Sequence, residues 1–367
     1  MTNKERYINC ALNKPVDRAP FMYLLGPWGE TIEAWKEEGI TDPNAWCSPD
    51  FGFDAAAVNL SAKVNLHYSP CFDHRILEEH GDHVIEQDGM GIIQEYIRGR
   101  SGIPHIIKNP VETWDDWNEL KAQRLNADDP ARFAPDYAEY VEWAKQQDAP
   151  IHIGTFPCGL FGTARDILGV ENLCYMLYDE PELVRDIMEH LTDMWLALYE
   201  KVARDIQIDV IHIWEDMSGK AGSLISPAMV REFMMPNYKR IKDFAVQHNI
   251  PVMSVDTDGI CDELIPLFEE SGFNVLMPVE IAAGNDPVEL RRRFPNMALM
   301  GGIDKRELEK GKDAIDRALD VIEPLLTGSG YFPALDHTIH PDISYENYCY
   351  YVAELRRRIF KYERTVD

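Results

Sequence analysis

Acidic side chains stand just after the last five of eight β-rich segments in this 367-residue sequence. In a barrel of parallel strands the carboxyl ends meet at one rim, so these residues would face one another across a single mouth. They are Glu215, Asp216, Asp256, Asp258, Glu280, Asp304 and Asp336, with His337 directly after the last of them. Carboxylates that close cannot all remain ionised and unpaired, so the mouth must hold a cation, share protons or borrow a basic side chain such as Lys220.

Two of these carboxylates have the spacing of metal ligands. Asp256 and Asp258 lie two residues apart as the chain leaves a strand, where their side chains share one face. With His337, or alternatively Glu215, arriving from another strand, they would form a sufficient first shell for a divalent metal, zinc being one candidate. The structural alternative is that some of these acids cap helices or shape turns, since Asp258 and Asp304 both precede helical segments.

The remaining candidate residues are assigned to catalysis or to substrate binding according to the residues and strand ends beside them. Catalysis is assigned to His337, Glu215 and Asp336, because a carboxylate beside an imidazole can hold it in one tautomer. Substrate contacts are expected from side chains at or near other predicted strand ends, namely Trp28, Thr155, Glu280 and Asp304. His152 and His212 alternate with apolar residues inside two strands, which suits a histidine of the barrel interior as well as a ligand.

Short β-rich runs alternate with longer helical patterns from residue 150 onward, which is typical of βα repeats and a parallel sheet. The predicted strands are residues 20–24, 53–58, 150–155, 208–214, 250–255, 273–277, 297–301 and 331–335. Eight strands predict a (β/α)₈ TIM barrel of the α/β class, roughly over residues 18–340 of a single domain spanning 1–367. The chain exceeds the ~250 residues of a plain barrel, which leaves room for an N-terminal elaboration and an insertion.

The insertion is expected at roughly residues 67–100. The β-rich runs there are joined near Asp88–Gly89, a dipeptide typical of hairpin turns, so we predict a β-hairpin outside the barrel. Residues 105–135 contain three prolines and predict an irregular connection that leads to a helix near 136–147.

Composition excludes several classes of partner. Thirty-six Lys and Arg against 63 Asp and Glu give a net charge of −27, which repels nucleic acid and anionic lipid. The first twelve residues contain no apolar core of a signal peptide, and no apolar run approaches the ~20 residues that span a bilayer, so we expect a cytoplasmic protein. The seven cysteines are scattered and form no C-x-x-C pair, which argues against both a disulfide framework and a thiolate zinc cluster.

Several segments together resemble the uroporphyrinogen decarboxylase superfamily, which also contains methyltransferases that exchange methyl groups with a corrinoid. The resemblance spans nearly the whole chain. It rests on residues 13–20 (NKPVDRAP), 215–227 (EDMSGKAGSLISP), 235–239 (MPNYK), 256–259 (DTDG), 301–304 (GGID) and 330–337 (GYFPALDH). The pair of segments at 215–227 and 235–239 is similar to the methyltransferase-like branch.

Two departures bear on the activity that the resemblance implies. True uroporphyrinogen decarboxylases carry an arginine-rich segment after the first strand, where residues 25–32 here read LGPWGETI. Thiol-methylating relatives hold zinc with a His-x-Cys pair and a later Cys, where this chain has Asp256, Asp258 and His337. Hard ligands have replaced soft ones, which favours an oxygen-based substrate.

The resemblance therefore implies a methyltransferase that demethylates a small methylated compound, most simply a methyl ether. The methyl group would pass to a corrinoid carried by a partner protein. The alternatives are a decarboxylase acting on a smaller substrate and a barrel that only binds its ligand. The oligomeric state is left open, with a homodimer as one form.

Overall fold

The computed structural model describes residues 1–54, 60–99 and 104–366. Its main sheet has seven parallel strands in the order β1-β6-β7-β10-β11-β12-β13. These strands are β1 (Leu60–Ser61), β6 (Ile151–Ile153), β7 (Val210–Trp214), β10 (Val252–Asp256), β11 (Val275–Val279), β12 (Ala298–Ile303) and β13 (Tyr331–Leu335). The last six follow the sequence predictions closely, because each is a short apolar run followed by a helix.

The sheet curls around its inner face. Side chains from the starts of five strands pack into one cluster, which a flat sheet could not allow: Val210, Val252, Val275, Ala298 and Phe332. Tyr7 and Cys10 of helix α1 (Asn3–Ala11) join this cluster, so α1 covers the amino-terminal end of the sheet. The carboxyl ends of the strands stay open, and we call that end the mouth.

Helices cover the outer face. After α1 they are α2 (Gly29–Glu37), α3 (Trp114–Arg124), α4 (Tyr137–Ala144), α5 (Leu160–Leu168), α6 (Val170–Asp179), α7 (Pro181–Asp205), α8 (Pro227–Met229), α9 (Met235–Gln247), α10 (Ile265–Ser271), α11 (Pro287–Arg293), α12 (Lys312–Ile322) and α13 (Tyr345–Lys361). A π-helical turn, Val230–Met234, joins α8 to α9. The helical segment that begins at Pro227 therefore continues to Gln247 but is widened in its second turn.

The prediction of a strand at 20–24 is wrong. The amide of Phe21 donates to the carboxylate of Asp54 (2.9 Å) instead of to a strand carbonyl, and Pro20 has no amide to donate. A few residues on, the amide of Trp28 donates to the carbonyl of Ile339 at 3.0 Å, and the amide of Ile339 donates to the carbonyl of Gly26 at 3.2 Å. The segment thus runs between residue 54 and the chain after β13, in the gap where an eighth strand would lie. The second predicted strand, 53–58, lies largely outside the described residues.

The insertion is larger than a hairpin. Four antiparallel strands form it, β2 (Arg75–His80), β3 (His83–Gln87), β4 (Ile93–Ile97) and β5 (His105–Lys108). The predicted turn at Asp88–Gly89 joins β3 to β4, since the amide of Gly91 donates to the carbonyl of Asp88. Residues 105–135 contain β5 and α3 and so are more regular than expected. A small two-stranded ribbon, β8 (Ser218–Gly219) with β9 (Gly222–Ser223), follows β7.

Two further expectations can be compared with the structure. All seven cysteines are free thiols, as their scattered positions predict. In the described part of the chain, every helix is too short or too polar to cross a membrane.

Candidate functional site

The carboxylate of Glu215 anchors a helix and does not face the mouth. It is fully buried and accepts hydrogen bonds from the amides of Leu160 (3.1 Å), Phe161 (2.6 Å) and Gly162 (3.2 Å), at the start of α5. The hydroxyl of Tyr238 on α9 donates to it as well, at 2.6 Å. Burial raises the pKa of Glu215 to about 7, against these bonds, which favour its ionised form. The catalytic role predicted for Glu215 therefore has no support in this geometry.

Glycine is required for this arrangement. A Cβ built on Gly159 would lie 1.6 Å from the carbonyl oxygen of Trp214, and one on Gly162 would lie 2.3 Å from the same atom. The start of α5 thus rests directly on the end of β7. Only that close approach brings three amides within reach of one carboxylate.

Three other predicted site residues also tie loops to strand ends. Asp336, nearly fully buried, accepts from the amides of Ile281 (2.9 Å) and Lys305 (3.1 Å). Asp304 caps the 3₁₀ turn Lys305–Lys310 and grips the guanidinium of Arg306, which confirms the structural alternative for this residue. Glu280 accepts from the amide of Gly259 at 3.0 Å but remains partly exposed to the mouth.

Asp256, Asp258 and His337 belong to the open part of the mouth. The Nε2 of His337 lies 3.7 Å from a carboxylate oxygen of Asp258, and both side chains are about one third exposed. Asp256 points further in, where its carboxylate lies 3.8 Å from the Nε2 of His212. Burial raises the pKa of Asp256 well above its usual range, helped by the charges of Asp258 and Asp216. Asp258 caps no helix in the described structure, since the N-cap of the following helix α10 is Leu264.

Two basic side chains balance the acids of the mouth, and neither is Lys220, which is exposed. Arg165 of α5 donates to the main-chain carbonyl of Asp216 at 2.6 Å and pairs with its carboxylate. Lys305 is half-buried and lies 5.6 Å from the ring of Trp28, which is 39% exposed. Burial lowers the pKa of Lys305 although Asp336, Glu280 and Asp258 act to raise it.

The three predicted metal ligands do not converge. Nδ1 of His337 accepts the amide proton of Thr338 at 2.8 Å, which assigns the ring proton to Nε2, the atom facing Asp258. A ring in this state turns its Nε2 proton toward Asp258, 3.7 Å away, and offers no lone pair to a metal at Nε2. Within the described residues, one group of three ligand atoms lies within 4.8 Å of one another, and it is Glu309, His340 and Asp342 at the surface. The donor types of Asp256, Asp258 and His337 suit a divalent ion, but their arrangement in this structure does not fit one.

A cavity of about 150 Å³ leads from the mouth along the inner face of the curled sheet. Thr155 and Phe156 lie at its outer end, and His152, His212, Ser254 and Asp256 line it further in. Three methionines and two tyrosines supply much of the remaining wall: Met22, Met277, Met300, Tyr7 and Tyr23. A cavity of this volume is the size that holds one benzene ring. Thr155 lines this cavity, and its role in substrate binding stays a prediction.

A family model described as "Uroporphyrinogen decarboxylase (URO-D)" matches residues 55–358. The chain belongs to this family. The match covers the curled sheet, the insertion and every strand-end residue discussed above, apart from Trp28.

Relatives and solved structures extend this result. The chain is 27% identical over 188 residues to the uroporphyrinogen decarboxylase of Campylobacter concisus (strain 13826), which is 50% of this chain and 51% of that protein. It is 24% identical over 191 residues to the one of Campylobacter fetus subsp. fetus (strain 82-40), 51% and 52% of the two chains. The alignments thus span about half the length of these relatives. A methyltransferase from Methanosarcina mazei matches over 98% of this chain and 99% of its own, with a TM-score of 0.59 and 17% identity, which shows a common fold.

Sequence reasoning missed several residues of this URO-D family member's mouth and cavity. Lys305 follows Asp304 at a strand end, so the rule that selected the acids would have selected it too. Ser254 stands on an inward position two residues before Asp256, and the strand register pairs it with His212, which the sequence had already indicated as an interior histidine or a ligand. Period-two alternation was the available signal for both. Arg165 comes from a helix, and nothing in its local sequence indicates that it reaches the mouth.

Proposed function

We propose that this protein removes the methyl group from a small methyl ether and passes it to a corrinoid held by a partner protein docked over the mouth. The observation that carries the proposal is the cavity, which has the volume of one ring and opens beside Asp256. The family and the fold shared with a methyltransferase support it.

Size and charge both argue against a tetrapyrrole as substrate. A molecule of four pyrrole rings would need several times the volume of this cavity. None of the described residues that line the cavity is Arg or Lys, so carboxylates of a substrate would find no charge-assisted partner inside. The segment 25–32, where arginines would be expected in a true decarboxylase, instead begins α2 and offers Trp28.

The bond that breaks is the one between methyl carbon and ether oxygen. The corrinoid, when bound, supplies the nucleophile that takes the methyl group. The bonding electron pair stays on the oxygen, which needs a proton to leave as a hydroxyl. His337 carries its proton on Nε2 and faces Asp258, so we assign this proton transfer to His337, with Asp258 orienting the ring. Because the predicted metal ligands do not converge, no step is routed through a metal.

The rim of the mouth suits a protein partner. Three apolar side chains are exposed on its loops: Phe156 (61%), Leu224 (45%) and Trp28 (39%). Phe156 packs edge-on against Trp214, with ring centroids 4.7 Å apart, and so is held outward. Exposed aromatic and aliphatic groups around a concave site are typical of protein–protein contacts.

The test is methyl transfer from single-ring methyl ethers to a reduced corrinoid protein, followed through the corrinoid spectrum and chromatography of the phenolic product. His337→Gln should lower the rate by about 10²- to 10⁴-fold, the usual contribution of a proton-transferring side chain. His340→Gln, three residues away and paired with Asp342 at the surface, is the matched control and should stay near the wild-type rate.

Other outcomes identify the alternatives. Carbon dioxide release without any corrinoid protein would make the protein a decarboxylase, and stepwise decarboxylation of uroporphyrinogen would overturn the size argument. Tight binding of an ether with no turnover under any of these conditions would indicate a binding barrel.

A further inference from the structure

The inner end of the cavity contains polar groups that the proposed reaction does not use. His152 on β6, His212 on β7 and Ser254 on β10 all point into the barrel, between Tyr7 and the methionines. Each stands on an inward position of its strand, since its neighbours Ile151, Ile153, Ile211 and Ile213 face the outer core. These three side chains therefore form a polar floor beneath a largely apolar wall.

The two histidines of the floor differ in how well they are satisfied. The Nδ1 of His212 lies 2.8 Å from the hydroxyl of Ser254, and its Nε2 lies 3.8 Å from Asp256. The Nε2 of His152 is buried and has no hydrogen-bond partner, and the whole residue is only 8% exposed. Its ring is fixed by an edge-on contact with Tyr7, with centroids 5.6 Å apart. His152 thus lines the cavity and carries a buried Nε2 that no described group hydrogen-bonds.

A buried polar atom without a partner is costly, and such atoms are rare unless a ligand or an ordered water completes them. Burial, with a smaller contribution from His212, lowers the pKa of His152 to about 3, so the ring is neutral at pH 7. A neutral ring can donate or accept one hydrogen bond but offers no charge to a carboxylate or a phosphate.

We infer that His152 is a specificity-determining residue, which hydrogen-bonds an uncharged hydroxyl group on a ring-sized substrate at the end away from the mouth. The substrate class is then a single-ring compound with a neutral hydroxyl buried against the floor. The inference rests on the proposed function for the orientation of the methyl group toward the mouth. The binding contact itself needs neither methyl transfer nor a corrinoid.

The experiment compares phenol with toluene, which have nearly the same shape and differ in the hydroxyl. Dissociation constants are measured by calorimetry on the wild type, His152→Leu, His152→Gln and the control His67→Leu. His67 is a partly buried histidine whose Nε2 atom is likewise buried without a partner, and it does not line the cavity. We expect the preference for phenol over toluene to fall about tenfold in His152→Leu, to recover in part in His152→Gln, and to stay unchanged in His67→Leu.

The ratio of the two constants removes general effects of a variant on the size of the cavity. If His152→Leu does not fold, a crystal structure of the wild type with phenol tests the same contact, which requires the hydroxyl oxygen within about 3.2 Å of Nε2. An equal preference in wild type and His152→Leu, or a phenol oxygen bonded elsewhere with a water on Nε2, would overturn the inference. Demethylation failing while the phenol preference depends on His152 would refute only the proposed function.

Discussion

Two kinds of carboxylate stand at the strand ends of this sheet, and the sequence does not distinguish them. Glu215 and Asp336 are buried and accept main-chain amides, Glu215 from the start of α5 and Asp336 from Ile281 and Lys305, which follow β11 and β12. Asp256 and Asp258 reach the open mouth, where their nearest polar partners are His212 and His337. The difference shows that an acid after a barrel strand can hold the mouth together as readily as it can act in it. Which role it takes depends on whether free amides of a neighbouring segment lie within reach.

The largest expected effect is a loss of stability when a buried carboxylate of the first kind is removed. Glu215→Ala leaves the amides of Leu160, Phe161 and Gly162 and the hydroxyl of Tyr238 buried without their acceptor. We expect the free energy of unfolding to fall by about 3–5 kcal/mol, the range for breaking a buried hydrogen-bond network. Urea unfolding followed by tryptophan fluorescence measures it.

Glu280→Ala is the matched control, because this glutamate also follows a strand but accepts one amide and is partly exposed. Its loss should cost about 1 kcal/mol. Equal losses of stability in the two variants would show that Glu215 is no more an anchor than Glu280, so that the two kinds of carboxylate would not differ.

The sequence predicted the repeating part of the fold well and the irregular part poorly. Six strands from β6 to β13 were found because apolar runs alternate with amphipathic helices, a local signal. The strand predicted at 20–24 is absent, because the geometry of this segment is set by contacts with the distant Asp54 and Ile339. The same holds in the site: strand ends could be located from sequence, whereas the anchoring role of Glu215 depends on Gly159 lying against Trp214.

The second expected effect is a pH dependence that belongs to the anchor. The pKa of Glu215 in the folded protein is raised to about 7, above its ordinary 4.5, so the native state binds the proton more tightly than the unfolded state. The stabilisation from that proton is complete below pH 4.5 and is lost as the pH rises through 7. Relative to Glu215→Gln, which cannot ionise, the wild type should lose about 1–3 kcal/mol of stability between these values.

Urea unfolding of both proteins at several pH values gives this difference directly, and the difference removes the contributions of other titrating groups. The neutral histidines His152 and His212 act in the opposite sense, since their folded pKa values of about 3 and about 4 cost stability as the pH falls below 6.5. A difference curve that is flat from pH 4.5 to 7 would show that Glu215 is ionised in the native protein throughout.

The smallest expected effect on stability is in the second kind of carboxylate. Asp258→Ala removes a charge that crowds Asp256 and breaks no main-chain hydrogen bond, so its free energy of unfolding should change by less than about 1 kcal/mol, toward greater stability. Asp304→Ala is the matched control, because Asp304 caps the turn Lys305–Lys310 and its loss should cost about 1 kcal/mol.

The same pair of variants, Asp258→Ala and Asp304→Ala, tests the metal predicted from the sequence. We expect wild-type activity to persist in chelator, since His337 accepts from Thr338 through Nδ1 and so keeps its proton on the atom that would bind the ion. The opposite result would be a stoichiometric ion that is needed for activity, is lost in Asp258→Ala and remains in Asp304→Ala. Such a result would establish the metal and would require the imidazole ring of His337 to flip.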